Sequence, residues 1–459
     1  MVATKPSRAD SIYLGLSALA VVISVLKAQP FPTIDAALFE YFGWAMIHGR
    51  QFYTDVFDVK LPSIFAVNAL WQWLFGQNYL LHTLAEALVN AGAIALFALF
   101  LRRWNVAAWA LGTFLFAAFF TIPYPEFDYA EHYAVFLIVL GLYLSARGRP
   151  LWAGAALGLA TTFWLPAALT CLPILLQPTT ARKRIVLVAG LFFTLALYAL
   201  VLLALFGPQY FGDVARLWSE RAAAFTLSKV HVFQAPLSAA AGALALILVI
   251  AWRRPLNAAA RFGLIWSVCA LAGTAPDFFE PYFLPLTPAF AMTIASFGLT
   301  KKSFARRPLA WVAALLALGF LGFAAHDAVA YRTNVDRWRA NLVTLGDWIR
   351  SSAGNDATIY TDDYLPELYL AAHARLPDPV SLLTISDERL NWTQQPQIVV
   401  FGPRFIPPNV DPSKRLIAKR GSLAFDPVCA GRTGTFAVFA IPSLVRTFDC
   451  AQLKLTPGS

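Results

Sequence analysis

Pro32 to Pro62, PTIDAALFEYFGWAMIHGRQFYTDVFDVKLP, is a stretch rich in ionisable residues that lies between long apolar segments. Its carboxylates and its one lysine are Asp35, Glu40, Asp55, Asp58 and Lys60. Ionisable residues beside a bilayer are retained where they have a partner, contact water or perform a function. We therefore interpret this stretch as an outer loop that carries a functional site. A solvated loop without a specific function is the alternative.

The composition places the chain among polytopic membrane proteins. Hydrophobic residues make up 58% of the 459 residues, charged residues 14%, and the mean hydropathy is +0.59. The formal charge of +10 comes from short basic clusters between apolar segments, which is typical of cytoplasmic loops. No nucleic-acid-binding motif accompanies these clusters, so we expect no nucleic-acid partner.

About eleven transmembrane helices are predicted, because a spanning helix needs roughly 20 apolar residues. The first follows Lys5 and Arg8 and is interpreted as an uncleaved anchor, since no small-residue cleavage site comes after it. Nine segments qualify: 11–27, 79–101, 106–122, 132–146, 185–206, 237–251, 261–275, 282–299 and 309–330. Basic residues flank both ends of the run 151–177, and Pro166 interrupts it, so this run is predicted as two short helices meeting near Trp164.

Loop charge predicts a cytoplasmic N-terminus, since all basic clusters between the helices then lie inside. The carboxylates between Asp35 and Glu280 then lie at or near the outer side. Three short apolar stretches, 37–48, 61–75 and 209–225, are predicted to be helices along the outer membrane surface.

Beyond residue 331 the chain becomes polar, which predicts a membrane domain over 1–330 and a small outer α/β domain over 331–459. Apolar residues recur at helical spacing over 336–350, and ATIY, QIVVF and TFAVFA are typical of strands. Cys429 and Cys450 both fall in this outer domain. We predict that they form a disulfide in an oxidising periplasm.

Several motifs together resemble the GT-C glycosyltransferases, in the bacterial branch related to protein O-mannosyltransferases and lipid A aminoarabinose transferases. The first is an aspartate after the first helix followed by H-G-x-x-x-Y-x-D-x-x-D-x-K-x-P. The others, in chain order, are DYAEHYAVFLIVLGLYLSARGR (128–149), AGAALGLATT (153–162), YFLPLTP (282–288) and DATIYTDDYLPELYL (356–370).

The resemblance implies an inverting glycosyltransferase in the bacterial inner membrane, with its site on the periplasmic side. The implied donor is a polyprenyl-phosphate sugar, and the acceptor is a lipid or glycan. A transporter or flippase for a glycolipid is the alternative class, since transporters also place carboxylates near broken helices. The clustering of acids in outer loops argues against it. A non-catalytic scaffold is the third class.

Two residues match the family by position. Asp35 corresponds to the base that accepts the acceptor proton, and helix capping is its structural alternative. Lys60, in D-x-K-x-P, corresponds to the phosphate-binding lysine. Its alternative is a lysine that extends to the lipid headgroups.

The resemblance assigns further residues by motif and loop. Glu131 and then Asp128 are implied to orient the acceptor or a metal, although acids at a helix start are also favoured by the helix dipole. The remaining residues assigned to substrate binding are Tyr53, Asp55, Asp58, Arg221, Lys229, His231 and Tyr282. A turn with a salt bridge is the alternative for the two aspartates, and a basic helix facing lipid headgroups is the alternative for the three cations.

The sequence departs from the family pattern at Ala36, Trp164 and Pro281, where relatives carry glutamate, lysine and a basic residue respectively. Ala36 weakens the inference of a protein acceptor, and the other two weaken donor-phosphate contacts. The outer carboxylates are suited to a divalent cation, but no His or Cys metal motif accompanies them.

Overall fold

A computed structural model describes residues 7–26, 31–32, 34–50, 60–121, 129–176, 180–212, 214–215, 257–274, 280–296, 340–361, 365–376, 396–401, 426–428 and 436–453. The chain forms two compact units. Unit 1 comprises residues 1–28, 60–63 and 83–328, and unit 2 comprises residues 29–59, 64–82 and 329–459.

The described helices up to residue 206 are α1 (Arg8–Leu26), α2 (Ile34–Ile47), α3 (Ser63–Phe75), α4 (Tyr79–Arg103), α5 (Trp109–Thr121), α6 (Ala130–Ala146), α7 (Pro150–Phe163), α8 (Cys171–Leu175) and α9 (Ala181–Phe206). They are followed by α10 (Ala258–Thr274), α11 (Leu286–Ser296), α12 (340–353), α13 (Pro366–Ala372) and α14 (Pro442–Val445). Short 3-10 helices lie at Leu165–Thr170 and Glu280–Phe283.

Unit 1 is a bundle of apolar helices, and three of them (α1, α4 and α9) are long and apolar enough to cross a membrane. Helix α9 shows the expected lipid-facing surface, since Phe192 and Phe193 are 63% and 70% exposed. The protein is therefore a multi-pass membrane protein. The predicted spans 237–251 and 309–330 lie outside the described residues, so the count of eleven stays a prediction.

The predicted break at Trp164 is confirmed. Helix α7 ends at Phe163, and Trp164 adopts an extended conformation with φ −141° and ψ 104°. The next residues form the 3-10 helix that contains Pro166, followed by α8. Proline at this position has no backbone N–H to donate, so α7 cannot continue through it.

The small residues of the AGAALGLATT stretch allow α7 to pack directly on the backbone of α9. A Cβ atom at Gly154 would lie 1.9 Å from the carbonyl oxygen of Leu187, and one at Gly190 would lie 2.3 Å from that of Leu151. Side chains larger than hydrogen are therefore excluded at these two positions. Close backbone approach through glycine is a common way for helices to associate in membranes.

Unit 2 contains a four-stranded sheet in the order β1-β2-β4-β3. The strands are β1 (Ile359–Thr361), β2 (Ile398–Phe401), β3 (Asp426–Pro427) and β4 (Ala437–Ala440). Strand β1 pairs in parallel with β2, and β4 pairs antiparallel with both β2 and β3. The three predicted strands are confirmed, and the predicted helix over 336–350 is described from residue 340 onwards.

Helices of the first loop pack with the C-terminal residues inside unit 2. Helix α2 lies against α13, and Tyr41 donates a hydrogen bond of 2.9 Å to the carbonyl of Ala374. Unit 2 therefore includes residues 29–59 and 64–82 in addition to the C-terminal residues of the predicted outer domain. Cys450 is disulfide-bonded, whereas Cys429 lies outside the described residues, so their pairing stays a prediction.

Candidate active site

Asp35 lies in the first turn of α2, one residue after the helix begins at Ile34. An acidic side chain in the first turn is stabilised by the helix dipole. The residues that follow, from Ala36 to Ala45, are buried, so α2 is held on several sides within unit 2. This packing gives the Asp35 carboxylate a fixed support.

A buried polar cluster ties α2 to α3 and to the start of α4. Glu40 is 2% exposed and accepts a 2.6 Å hydrogen bond from the side-chain amide of Gln72. Its other oxygen lies 2.5 Å from Nδ1 of His82, and Nε2 of that ring donates to the carbonyl of Gly76 at 2.9 Å. Burial raises the pKa of Glu40, while the contacts with His82 and Gln72 oppose the rise. These contacts hold α2, the helix that carries Asp35, against α3 and the start of α4.

Arg50, just beyond α2, joins the first loop to the end of α13. Its guanidinium lies 4.6 Å from the ring centroid of Trp44, donates to the carbonyl of Ala374 at 2.7 Å, and forms an ion pair with Asp356. Burial raises the pKa of Asp356, but the positive charges of Arg50 and Arg375 outweigh it and leave a net lowering. The ion pair therefore persists at neutral pH.

His373, which follows α13, has a left-handed backbone with φ +51°. Its ring stacks on Trp44 with a centroid separation of 4.9 Å, and its Nε2 lies 3.2 Å from a guanidinium nitrogen of Arg350. A guanidinium only donates, so Nε2 accepts and the ring is neutral. Burial, reinforced by the charges of Arg350, His48 and Arg50, lowers the pKa of His373 to about 4.

Lys60 belongs to unit 1 and lies over the ring of Tyr129, with 5.9 Å between Nζ and the ring centroid. Its position is set by Ser63, three residues later, whose hydroxyl lies 2.9 Å from Oγ1 of Thr162 and 3.0 Å from the hydroxyl of Tyr198. These contacts anchor the start of α3 to α7 and α9. The ammonium is therefore presented from a fixed backbone.

Glu131 and Tyr282 also belong to unit 1. Glu131 lies in the first turn of α6 and is 2% exposed. Tyr129, whose ring lies under Lys60, is the N-cap residue of that helix, two residues before Glu131. Tyr282 is partly buried against the apolar core of unit 1, in the 3-10 helix before α11.

The other residues predicted for the site lie outside the described residues: Tyr53, Asp55, Asp58, Asp128, Arg221, Lys229 and His231. Within the described ranges, no group of three or more His, Cys, Asp or Glu side chains is placed to hold a metal ion. A divalent cation at the outer carboxylates stays a prediction.

The structure adds buried polar residues that the motifs did not assign to the site. In unit 1, Glu86 and Asn90 are 4% and 1% exposed on α4, and the hydroxyl of Tyr133 donates to Glu86 at 3.2 Å. The sequence could have indicated this polar cluster, because a glutamate and an asparagine occur four residues apart in a largely apolar helix. That spacing places both side chains on one helix face.

Comparisons with known proteins find one similar sequence and a similar solved structure. No family model matches the chain. Over 170 residues, 35% of this chain, it is 30% identical to the dolichol phosphate-mannose mannosyltransferase of Haloferax volcanii. The match spans 36% of that relative, about a third of its length.

The structure is similar over nearly its whole length to ArnT from Cupriavidus metallidurans. With the apo form the TM-score is 0.59 at 16% identity, covering 95% of this chain and 99% of that one. With ArnT bound to undecaprenyl phosphate it is 0.52 at 15% identity, covering 95% and 98%. The chain shares the GT-C fold, and the resemblance inferred from its motifs is confirmed at the level of the fold.

Proposed function

We propose that this protein is an inverting glycosyltransferase of the bacterial inner membrane. It moves a sugar from a polyprenyl-phosphate donor to a lipid or glycan acceptor on the periplasmic side. The observation that carries the proposal is the position of Lys60 over the ring of Tyr129, the N-cap residue of the helix that carries the buried Glu131, in a fold shared with ArnT. The binding of undecaprenyl phosphate by ArnT supports a donor of the same chemical class.

The reaction is a single displacement at the anomeric carbon. The acceptor oxygen attacks that carbon while its bond to the phosphate oxygen breaks, and the electron pair leaves with the polyprenyl phosphate. Attack from the face opposite the phosphate inverts the anomeric configuration. The acceptor hydroxyl loses a proton in this step, and we assign its acceptance to the carboxylate of Asp35.

The departing phosphate carries negative charge, which a fixed cation stabilises more strongly near an apolar bilayer than in bulk water. We assign this role to Lys60. Glu131, buried at the start of α6, is assigned to orienting the acceptor together with Asp128. These roles follow the resemblance residue by residue and require direct tests.

The test uses the full chain in lipid nanodiscs with undecaprenyl-phosphate-linked sugars and a membrane glycolipid extract as acceptor. Wild type should release undecaprenyl phosphate and form a glycosylated product, detected by mass spectrometry. Asp35→Asn should reduce the rate about 10²- to 10⁴-fold, because it removes a general base. Asp426→Asn, at an exposed strand residue, is the matched control and should keep full activity.

Reconstitution of the same chain into sealed vesicles distinguishes a transferase from a transporter. A flippase in sealed vesicles would move the labelled glycolipid between leaflets and leave the bond between sugar and phosphate intact. Translocation without cleavage would therefore replace the proposed function. Full activity in Asp35→Asn would instead leave helix capping as the role of Asp35.

A further inference from the structure

Helix α4 has two chemically distinct faces. Leu84 and Leu88, 36% and 74% exposed, lie on the lipid-facing side, whereas Glu86 and Asn90 are buried in unit 1. The buried face continues with Ala93 and other core residues. Polar side chains in a membrane helix carry a free-energy cost, and those that are retained usually face the bundle interior and have a function there.

The Glu86 carboxylate is oriented by α6. The Tyr133 hydroxyl donates to its Oε1 at 3.2 Å, and the Tyr133 ring stacks on Phe163 with a centroid separation of 5.4 Å. The two helices touch one turn deeper, where a Cβ atom at Gly92 would lie 3.2 Å from the ring of Phe136. The carboxylate and the hydroxyl are thus held by packing.

Asn90 lies one helical turn beyond Glu86 on the same face. It is 1% exposed, and neither Oδ1 nor Nδ2 has a hydrogen-bond partner among the residues that the structure describes. Buried side-chain amides are ordinarily satisfied, because an unmade hydrogen bond in an apolar interior is costly. The Asn90 amide has a donor group and an acceptor, and the nearby Glu86 carboxylate is an acceptor. Hydroxyl groups can pair with all of these, because each hydroxyl both donates and accepts.

The position of this cluster relates it to Lys60. Tyr129, whose ring lies 5.9 Å from the Lys60 ammonium, is the N-cap residue of α6, and Tyr133 lies in the first two turns of the same helix. One turn of helix advances about 5.4 Å along the axis. A sugar attached to a phosphate at Lys60 would therefore be near the end of α6 that carries Tyr133.

We propose that Glu86, Asn90 and Tyr133 form the subsite that recognises the sugar hydroxyls of the donor. The proposal rests on the proposed function, since it assumes a donor whose phosphate is bound at Lys60. Glu86 accepts from one sugar hydroxyl, and the Asn90 amide donates to and accepts from its neighbour.

The experiment compares two probes by native mass spectrometry of the full chain: undecaprenyl phosphate and the same lipid carrying mannose, glucose, galactose or 4-amino-arabinose. Wild type should bind at least one glycosylated lipid more tightly than the bare lipid phosphate. Asn90→Ala should weaken that glycosylated lipid about 2- to 10-fold and Glu86→Gln about 10-fold or more. Binding of undecaprenyl phosphate should be unchanged in both.

Two further variants separate recognition from folding. Asn90→Leu keeps the branched shape of the side chain and fills the space without an amide, so it should reproduce the loss in Asn90→Ala. Thr113→Val, at a buried residue whose hydroxyl already donates to the Trp109 carbonyl, should alter neither affinity.

The outcomes are distinguishable. Equal losses for bare and glycosylated lipids in Asn90→Leu, or no loss for either, would overturn the sugar subsite. Wild-type binding of undecaprenyl phosphate without preference for any glycosylated lipid would also overturn the subsite and leave the proposed function standing. Failure of wild type to bind any of these lipids would overturn both.

Discussion

Among single residues, Lys60 is the one to which we assign binding of the donor phosphate. Its ammonium has a fixed position because Ser63 anchors the backbone that follows. Lys60→Ala should weaken binding of undecaprenyl phosphate by about 10- to 150-fold, since a charge-assisted hydrogen bond contributes about 1.5–3 kcal/mol. Titration of the lipid phosphate monitored by native mass spectrometry measures this change.

Lys60→Arg provides the graded comparison. The guanidinium keeps the charge but differs in shape and reach, so it should restore only part of the affinity. Wild-type affinity in Lys60→Ala would show that another cation holds the phosphate, and Arg221, Lys229 and His231 would be the next variants.

The prediction of Asp35 and Lys60 came from the resemblance of their motif to the GT-C glycosyltransferases, since charged residues at a fixed spacing between apolar segments are visible in the sequence alone. The sequence did not identify the partner of Glu86. Tyr133 lies 47 residues away, on a helix whose rotation relative to α4 depends on the packing of the entire bundle. The same holds for Asn90. Its position in the sequence shows that it shares a helix face with Glu86, but only the fold shows that this face is buried.

At the scale of helices, the contact between α7 and α9 depends on glycine. Gly154→Val should destabilise unit 1, because the added Cβ would lie 1.9 Å from the carbonyl oxygen of Leu187. A side chain could adopt another rotamer to relieve such a clash, but a backbone carbonyl cannot. Thermal unfolding of the detergent-solubilised chain should show a clear fall in Tm or a loss of folded protein.

Gly15→Ala is the matched control, since a Cβ at this helical glycine meets nothing within 4 Å. It should be neutral or slightly stabilising, by up to about 1 kcal/mol, because alanine has the higher helix propensity. If both variants melted alike, α7 and α9 would not owe their association to close backbone approach.

Unit 2 should also respond to acid through His373. Its pKa of about 4 in the folded protein lies below the ordinary value of 6.5, so the unfolded chain binds the proton more readily. Stability is therefore full above about pH 6.5 and declines as the pH falls towards 4. Hydrogen exchange of residues 340–376, corrected for the intrinsic pH dependence, should show less protection at pH 4.5 than at pH 7.5.

His373→Asn separates this effect from general acid destabilisation. Asparagine tolerates the left-handed backbone at this position and does not titrate in this range. The variant should lose less protection than wild type on acidification. An identical pH response in both proteins would assign the sensitivity to other groups.

The element boundaries were largely predictable where one residue imposes them. Pro166 fixes the break near Trp164, and short apolar runs mark three strands. Strand β3 was not predicted, because two residues, one of them proline, carry no alternation and depend on pairing with β4. The helices of the first loop were predicted as interfacial from composition, but their burial within unit 2 depends on residues more than 300 positions later.

At the scale of the whole molecule, the orientation in the membrane is the property that most needs a direct measurement. Loop charge predicts that Ser303 lies inside and Ser413 outside. A membrane-impermeant maleimide added to intact spheroplasts should label Ser413→Cys and spare Ser303→Cys, after subtraction of the labelling of the parent chain. The reverse pattern would invert the topology and the side on which the proposed reaction takes place.

The hydrogen bond between Tyr41 and Ala374 joins residues 333 positions apart, which has a consequence for how the protein is made. At about 5–20 residues per second, a ribosome needs roughly 15 to 70 s between these two residues. During that time the segment bearing Asp35 has left the ribosome without the partner that covers it, so it is open to proteases and to chaperones. A message truncated before α13 would therefore yield a protein in which Tyr41 has no partner for this hydrogen bond and α2 lacks the helix that packs against it.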